Sequence, residues 1–258
     1  MQIITEALFS MQDEGYRSFH AGLIPGIDPE RIIGVRMPAL RRYAAALAET
    51  PQAALFLREL PHTYYEENNL HALLLMREKD FSALMPPLER FLPELDNWAT
   101  CDLLKPVCFA RNTDRLLPYL YRWLADDRPY TVRFAIEMLM THYLGAHFSP
   151  EYPRRVAAVQ SEHYYVRMMQ AWYFATALAF RYEEILPFLT GDALSPWVRQ
   201  KTIQKAVESL RIPPAAQGRI KGAAPLNFVI FAPECPLRGK INSLFIPCIC
   251  LFCLAMVE

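Results

Sequence analysis

Apolar residues recur along this chain every three or four positions. Between Ile3 and Ala21 they fall at Ile4, Leu8, Met11 and Phe19, the spacing of one helical face. Gly22 and Pro25-Gly26 end that segment. A second helix is predicted over 38–49, with Pro38 in its first turn, where a missing N–H costs nothing. Further helices are expected over 51–59, 64–78, 81–91, 97–109, 113–125, 130–143, 151–159, 163–180, 182–190 and 196–210. They are separated by Pro51, Pro61, Asp80, Pro93, Asp126-Asp127, Gly145, Ser161 and Gly191. No run alternates apolar and polar residues over six positions, as a half-buried strand would. The pattern therefore predicts an all-α chain.

The helices also repeat. Val132-Arg133, Val166-Arg167 and Val198-Arg199 each open a helix, and their arginines are 34 and 32 residues apart. An aromatic residue, Tyr130, Tyr165 or Trp197, precedes each pair. Similar steps backward reach Thr100, Glu67 and Arg36. A helix pair recurring at this length predicts an α-solenoid with a concave face, in which each pair covers its apolar side with its neighbours. The Trp, Leu-Gly and Tyr pattern of tetratricopeptide repeats and the Thr-Pro-Leu-His of ankyrins are absent, so short HEAT-like repeats fit best. The arginines then line one side of the stack. They fit equally as caps of neighbouring helix C-termini or as bridges between adjacent repeats.

Composition sharpens this picture in three ways. With only 9 Gly in 258 residues and 53% hydrophobic residues, the chain favours helix and a large core. The net charge of zero hides an asymmetry: residues 1–127 hold 13 basic and 18 acidic side chains, a net of −5, whereas residues 128–221 hold 12 and 7, a net of +5. A basic C-terminal half suits a polyanion, and equally suits attraction to the acidic half. Cys101 and Cys108 are the only cysteines before residue 222, so no disulfide framework is expected. Met1–Glu6 lacks a basic segment leading into an apolar one, so a cytoplasmic location is expected.

The repeat domain is expected to span 1–221, and an apolar, Cys-rich tail over 222–258 to lie outside it. The tail's apolar run, 243–257, is interrupted by Pro247 and is shorter than a membrane-spanning helix requires, so no stable membrane association is expected. Cys250 and Cys253 have CxxC spacing, but their apolar surroundings offer no companion ligands.

Candidate chemistry centres on Asp96-Asn97-Trp98-Ala99-Thr100-Cys101-Asp102. Asp96 or Asn97 caps a helix start, and Trp98 and Asp102, four residues apart, share a helix face. An indole beside a carboxylate suits a cationic group. The same residues also fit a buried Trp next to a salt-bridged Asp with Lys105 as its partner. His20, His62, His71, His142, His147 and His163 show no metal-ligand spacing, and no metal or organic cofactor is expected.

These segments together resemble the AlkD-like, HEAT-repeat DNA alkylation repair glycosylases over residues 1–220. The resemblance rests on Gly34-Val35-Arg36-Met37-Pro38-Ala39-Leu40-Arg41, Tyr65-Glu66-Glu67, Asp96-Asn97-Trp98 with Asp102, Val132-Arg133, Val166-Arg167 with Ala171-Trp172, and 197–206. It implies a monomer that cradles duplex DNA containing alkylated bases on a concave, basic face. The implied reaction is excision of N3- and N7-alkylated purines by hydrolysis of the N-glycosidic bond, without a metal. Asp102 is then the catalytic carboxylate, Trp98 and Trp172 are aromatic walls, and Arg133 is a phosphate contact. Arg36, Arg41, Arg167, Arg199, Lys201 and Lys205 are the expected DNA-backbone contacts. The best-known active members carry a second acid after the Trp, where this chain has Ala99. Some branches bind DNA structures without excision, so a non-catalytic DNA-binding protein or a protein-interaction scaffold are the alternatives.

Overall fold

The computed structural model describes residues 2–222, and the predicted tail lies outside them. Among the described residues every regular element is helical, apart from a single bridge between Gln12 and Val35. Two compact units divide near Leu74 and Leu75, within the single repeat domain the sequence predicts.

The first unit carries α1 (Gln2–Phe9), α2 (Glu14–Ala21), α3 (Met37–Leu47), α4 (Pro51–Phe56) and α5 (Tyr65–Leu75). The single helix expected over 3–21 is therefore two. The break lies at Asp13, whose carboxylate accepts the Tyr16 N–H and caps α2, while its own N–H bonds to Gly34 O at 3.0 Å. Gly34 has φ +94°, and a Cβ there would come within 2.6 Å of Arg17 Cβ and 2.8 Å of the Asp13 carbonyl oxygen. Only glycine fits this crossing.

Polar residues hold that crossing from beneath. The buried Glu66 carboxylate accepts N–H groups from Ile33, Gly34 and Val35 at 2.8, 2.7 and 3.3 Å. Burial pushes its acid upward, and those backbone donors pull it back. Glu67 accepts the Thr5 hydroxyl at 2.6 Å and the N–H groups of Thr63 and Tyr64. Tyr65 Oη meets buried His20 Nε2 at 3.0 Å. Tyr65-Glu66-Glu67 thus fixes chain crossings in this unit.

The second unit carries α6 (Phe81–Phe91), α7 (Trp98–Leu103), α8 (Thr113–Leu124), α9 (Pro129–His142), α10 (Glu151–Ala158), α11 (Tyr164–Phe180), α12 (Tyr182–Thr190), α13 (Pro196–Glu208) and α14 (Pro214–Gly222). Here α7, α9, α11 and α13 pack in succession, and α8, α10 and α12 lie against α9, α11 and α13. This is a helical-repeat stack, and it explains the 34- and 32-residue period. Every residue of α9 from Thr131 to Leu139 is buried, so this helix has no solvent face to read as amphipathic.

Several boundaries differ from the sequence pattern: the helices expected over 51–59 and 64–78 end at Phe56 and Leu75. The helix expected over 97–109 ends at Leu103, because Lys105 precedes Pro106 and is turned away from helical geometry. A short 3-10 turn, Phe109–Arg111, follows. The sequence pattern also missed α14, which starts at Pro214 directly after Pro213, the kind of residue that usually marks a break.

Candidate DNA-processing site

Asn97 caps α7, its side-chain oxygen accepting the Thr100 N–H at 2.8 Å. The Asn97 amide donates in turn to Asp96 and to the Thr100 hydroxyl. This anchoring sets Trp98 as the first helical residue and Asp102 one turn later. Both are half-buried, while Ala99, Thr100, Cys101 and Leu103 on the other face are buried.

Asp102 is held from the neighbouring repeat. Arg133 Nε donates to its Oδ1 at 2.7 Å and Nη2 to its Oδ2 at 2.6 Å, a bidentate fork. Arg133 Nη1 donates to the Tyr165 carbonyl oxygen at 2.7 Å, so one guanidinium ties α7, α9 and α11 together. The Arg133 side chain is 1% exposed and that of Asp102 is 10% exposed. Burial opposes the charge on Arg133, but the field and hydrogen bonds of Asp102 outweigh it, and the guanidinium's pKa rises above its ordinary range. Trp172, on α11, presents its ring 5.5 Å from the Arg133 guanidinium carbon, and Tyr165 does so at 6.0 Å.

The structure therefore brings Asp102, Arg133 and Trp172 together, with Trp98 on the same helix face as Asp102. It does not offer Arg133 to solvent. The phosphate contact expected of Arg133 gives way to a clamp on Asp102, because the buried guanidinium already serves a carboxylate and a carbonyl. The bridge between adjacent repeats, one of the two other placements the sequence allows, is the one observed here. Lys105 differs too. Beyond the end of α7, its Nζ meets Glu137 Oε1 at 3.2 Å, so it has an acid partner other than the expected Asp102.

The remaining predicted cations divide between the units. Arg36 and Arg41 belong to the first. Arg36 is exposed, paired with Asp13 at 2.9 Å and lies over the Tyr16 ring, and Arg41 is half-buried on α3. The second unit holds Arg167, paired with Glu162 at 2.9 Å and stacked 4.6 Å from the Trp197 ring centre. There too Arg199 meets Asp192 at 3.4 Å, Lys205 meets Glu208 at 2.8 Å, and Lys201 lies 5.9 Å from the Trp197 ring centre. The acids facing Arg167 and Arg199 are fully exposed, so these pairs are weak.

Glu137 escaped the sequence reading. It stands one turn after Arg133 on α9, is buried, and its Oε2 has no hydrogen-bond partner. Its signal was an Arg and a Glu four apart inside an otherwise apolar run. Ligand-type atoms of Cys101, Asp102 and Glu137 lie within 4.8 Å of one another. Arg133 and Lys105 already match the two carboxylates, and burial together with Asp102 raises the Cys101 thiol far above its usual range, so the set suits side-chain cations better than a metal. A separate cleft, lined among others by Tyr121, Asp127, Val132 and Arg155, includes none of the predicted site residues.

The second unit is thus an all-α helical-repeat stack in which arginine from one repeat clamps a carboxylate of its neighbour, with the Trp172 indole beside the clamp. The model of the DNA alkylation repair enzyme family matches residues 7–172, which include Trp98, Asp102, Arg133 and Trp172, and the chain belongs to that family. Its role is DNA repair, with DNA as substrate or partner. No curated protein matches the chain. No helix among the described residues is long and apolar enough to cross a membrane.

Proposed function

We propose that the protein is a DNA glycosylase that excises cationic N3- and N7-alkylated purines from duplex DNA. The observation that carries this reading is the Asp102 carboxylate, 10% exposed and fixed in orientation by Arg133. An alkylated purine is a cation, and its glycosidic bond is already weak. Positive charge grows on the sugar as that bond breaks. A carboxylate that need not reorganise stabilises this charge and orients a water for attack. Trp98 and Trp172 supply electron-rich faces for the cationic nucleotide, each contact being worth ~0.5–2 kcal/mol. Arg133 serves as a positioning residue behind Asp102. Arg36, Arg41, Arg167, Arg199, Lys201 and Lys205 are assigned to the phosphate backbone.

A second reading, DNA binding without excision, draws on the charge matching between Arg133 and Asp102, which leaves the pair close to neutral. The two readings separate in one assay: release of 7-methylguanine and 3-methyladenine from methylated duplex DNA by the wild type and by Asp102→Asn. Release by the wild type alone supports the glycosylase. No release by either, with salt-sensitive binding intact, supports the binding protein.

A further inference from the structure

Glu137 is 4% exposed and faces two charged partners across the interface of α7 and α9. Lys105 Nζ holds Oε1 at 3.2 Å, while Oε2 is buried without a donor. A carboxylate that served only to pair Lys105, itself 42% exposed, would not need burial, since an exposed pair does as well. The fold instead sets a second carboxylate within 4.8 Å of Asp102 and leaves one of its oxygens unsatisfied, an arrangement that costs stability. Residues that weaken a core in this way are concentrated at functional sites.

We propose that Glu137 is a positioning residue of the site, acting on the substrate through Asp102 by adding or withholding a second negative charge behind it, with Lys105 setting the balance. The inference rests on the reading of Asp102 as the carboxylate that faces a cationic sugar. The charged groups acting most strongly on Glu137 are Asp102 on α7, Lys105 just after that helix, and Arg133 on its own helix. Burial and the charge of Asp102 push its acid up to about 8, against the pull of Lys105 and Arg133. Below that pH, Glu137 carries a proton and the group of four has a net charge of +1. Above it, the group is neutral and attracts a cation more strongly, because charges this close in a half-buried site are poorly screened.

Two measurements between pH 6.5 and 9 test this. One is the rate of 3-methyladenine excision, from a nucleoside that stays cationic across the range. The other is the affinity for a duplex carrying a cationic pyrrolidine nucleotide, divided by that for the same duplex with a neutral tetrahydrofuran nucleotide. Both are expected to rise about three- to tenfold through a limb near pH 8 in the wild type. Glu137→Gln flattens both limbs. Lys105→Met moves them to higher pH, because loss of the cation makes Glu137 harder to ionise. A limb unchanged in Glu137→Gln overturns the inference. Should that variant fail to fold, an unmoved limb in Lys105→Met overturns it instead. A wild type that excises nothing and never prefers the cationic nucleotide overturns the Asp102 reading and this inference together. Preference for the cation with a limb indifferent to Glu137 overturns this inference alone.

Discussion

Arg133 grips Asp102 with two parallel hydrogen bonds of 2.7 and 2.6 Å, although 31 residues separate them. The fork matches carboxylate geometry and fixes both oxygens at once. On the proposed reading Asp102 has two separable duties, one to the substrate and one to the buried cation.

Asp102→Asn is expected to lower 3-methyladenine excision by about a hundredfold or more. Binding of undamaged duplex should stay level or tighten, since a negative charge near phosphates is gone. Single-turnover kinetics and binding titrations read the two effects separately. Excision by Asp102→Asn at the wild-type rate removes this residue from catalysis.

Asp102→Ala should cost more in stability than Asp102→Asn. The alanine leaves the Arg133 charge buried and uncompensated, a loss of about 3–5 kcal/mol. Asparagine retains one acceptor for the guanidinium. Urea unfolding of the two variants checks the order, and equal midpoints would mean that the clamp contributes little.

Trp98→Ala and Trp172→Ala are each expected to slow excision by about tenfold, the value of one good cation–π contact. Trp172→Phe should recover part of the loss. A folded Trp98→Ala protein with wild-type turnover would show that this indole is packing only.

In the first unit, Gly34→Ala should destabilise by about 2–4 kcal/mol, because φ +94° and the 2.6 Å approach to Arg17 leave no room for a Cβ. Chemical denaturation measures it. A loss below 1 kcal/mol, on the order of an ordinary surface change, would mean that the crossing at Asp13 yields easily.

His20 gives a pH prediction of definite sign. Burial lowers its folded-state pKa from 6.5 to about 4. Its contribution, roughly 3 kcal/mol at most, is present above pH 6.5 and drains away as pH falls toward 4, where the buried ring must take a proton. The stability gap between the wild type and His20→Gln should narrow over that window. A constant gap would show that His20 does not titrate with folding.

Much of this could be read along the chain, because it depends on neighbours in sequence. The helical period, the Asn97 cap and the shared face of Trp98 and Asp102 are local properties, and the structure reproduces them. The break at Leu104 was legible in Pro106 but was outweighed by the apolar run around it. What could not be read is set across helices. Whether Arg133 reaches outward to DNA or inward to Asp102 depends on how α7 and α9 pack, and Val132-Arg133 looks the same either way. Glu137 was hidden for a related reason. Along Thr131–Leu139, where every residue of α9 is buried, no polar face singles out an acid.

From its place on α9, Arg133 sends two hydrogen bonds to α7 and one to α11, so three helices of the stack meet at one guanidinium. None of these contacts can form within a single repeat. A nascent or partly melted chain with only two of these helices docked has a carboxylate without its clamp, or a clamp without its anchor. The clamp on Asp102 is therefore complete only where α7, α9 and α11 are docked together. Partial proteolysis products or truncations that lose α11 would keep Trp98 and Asp102 in sequence yet lose the geometry that makes them a site.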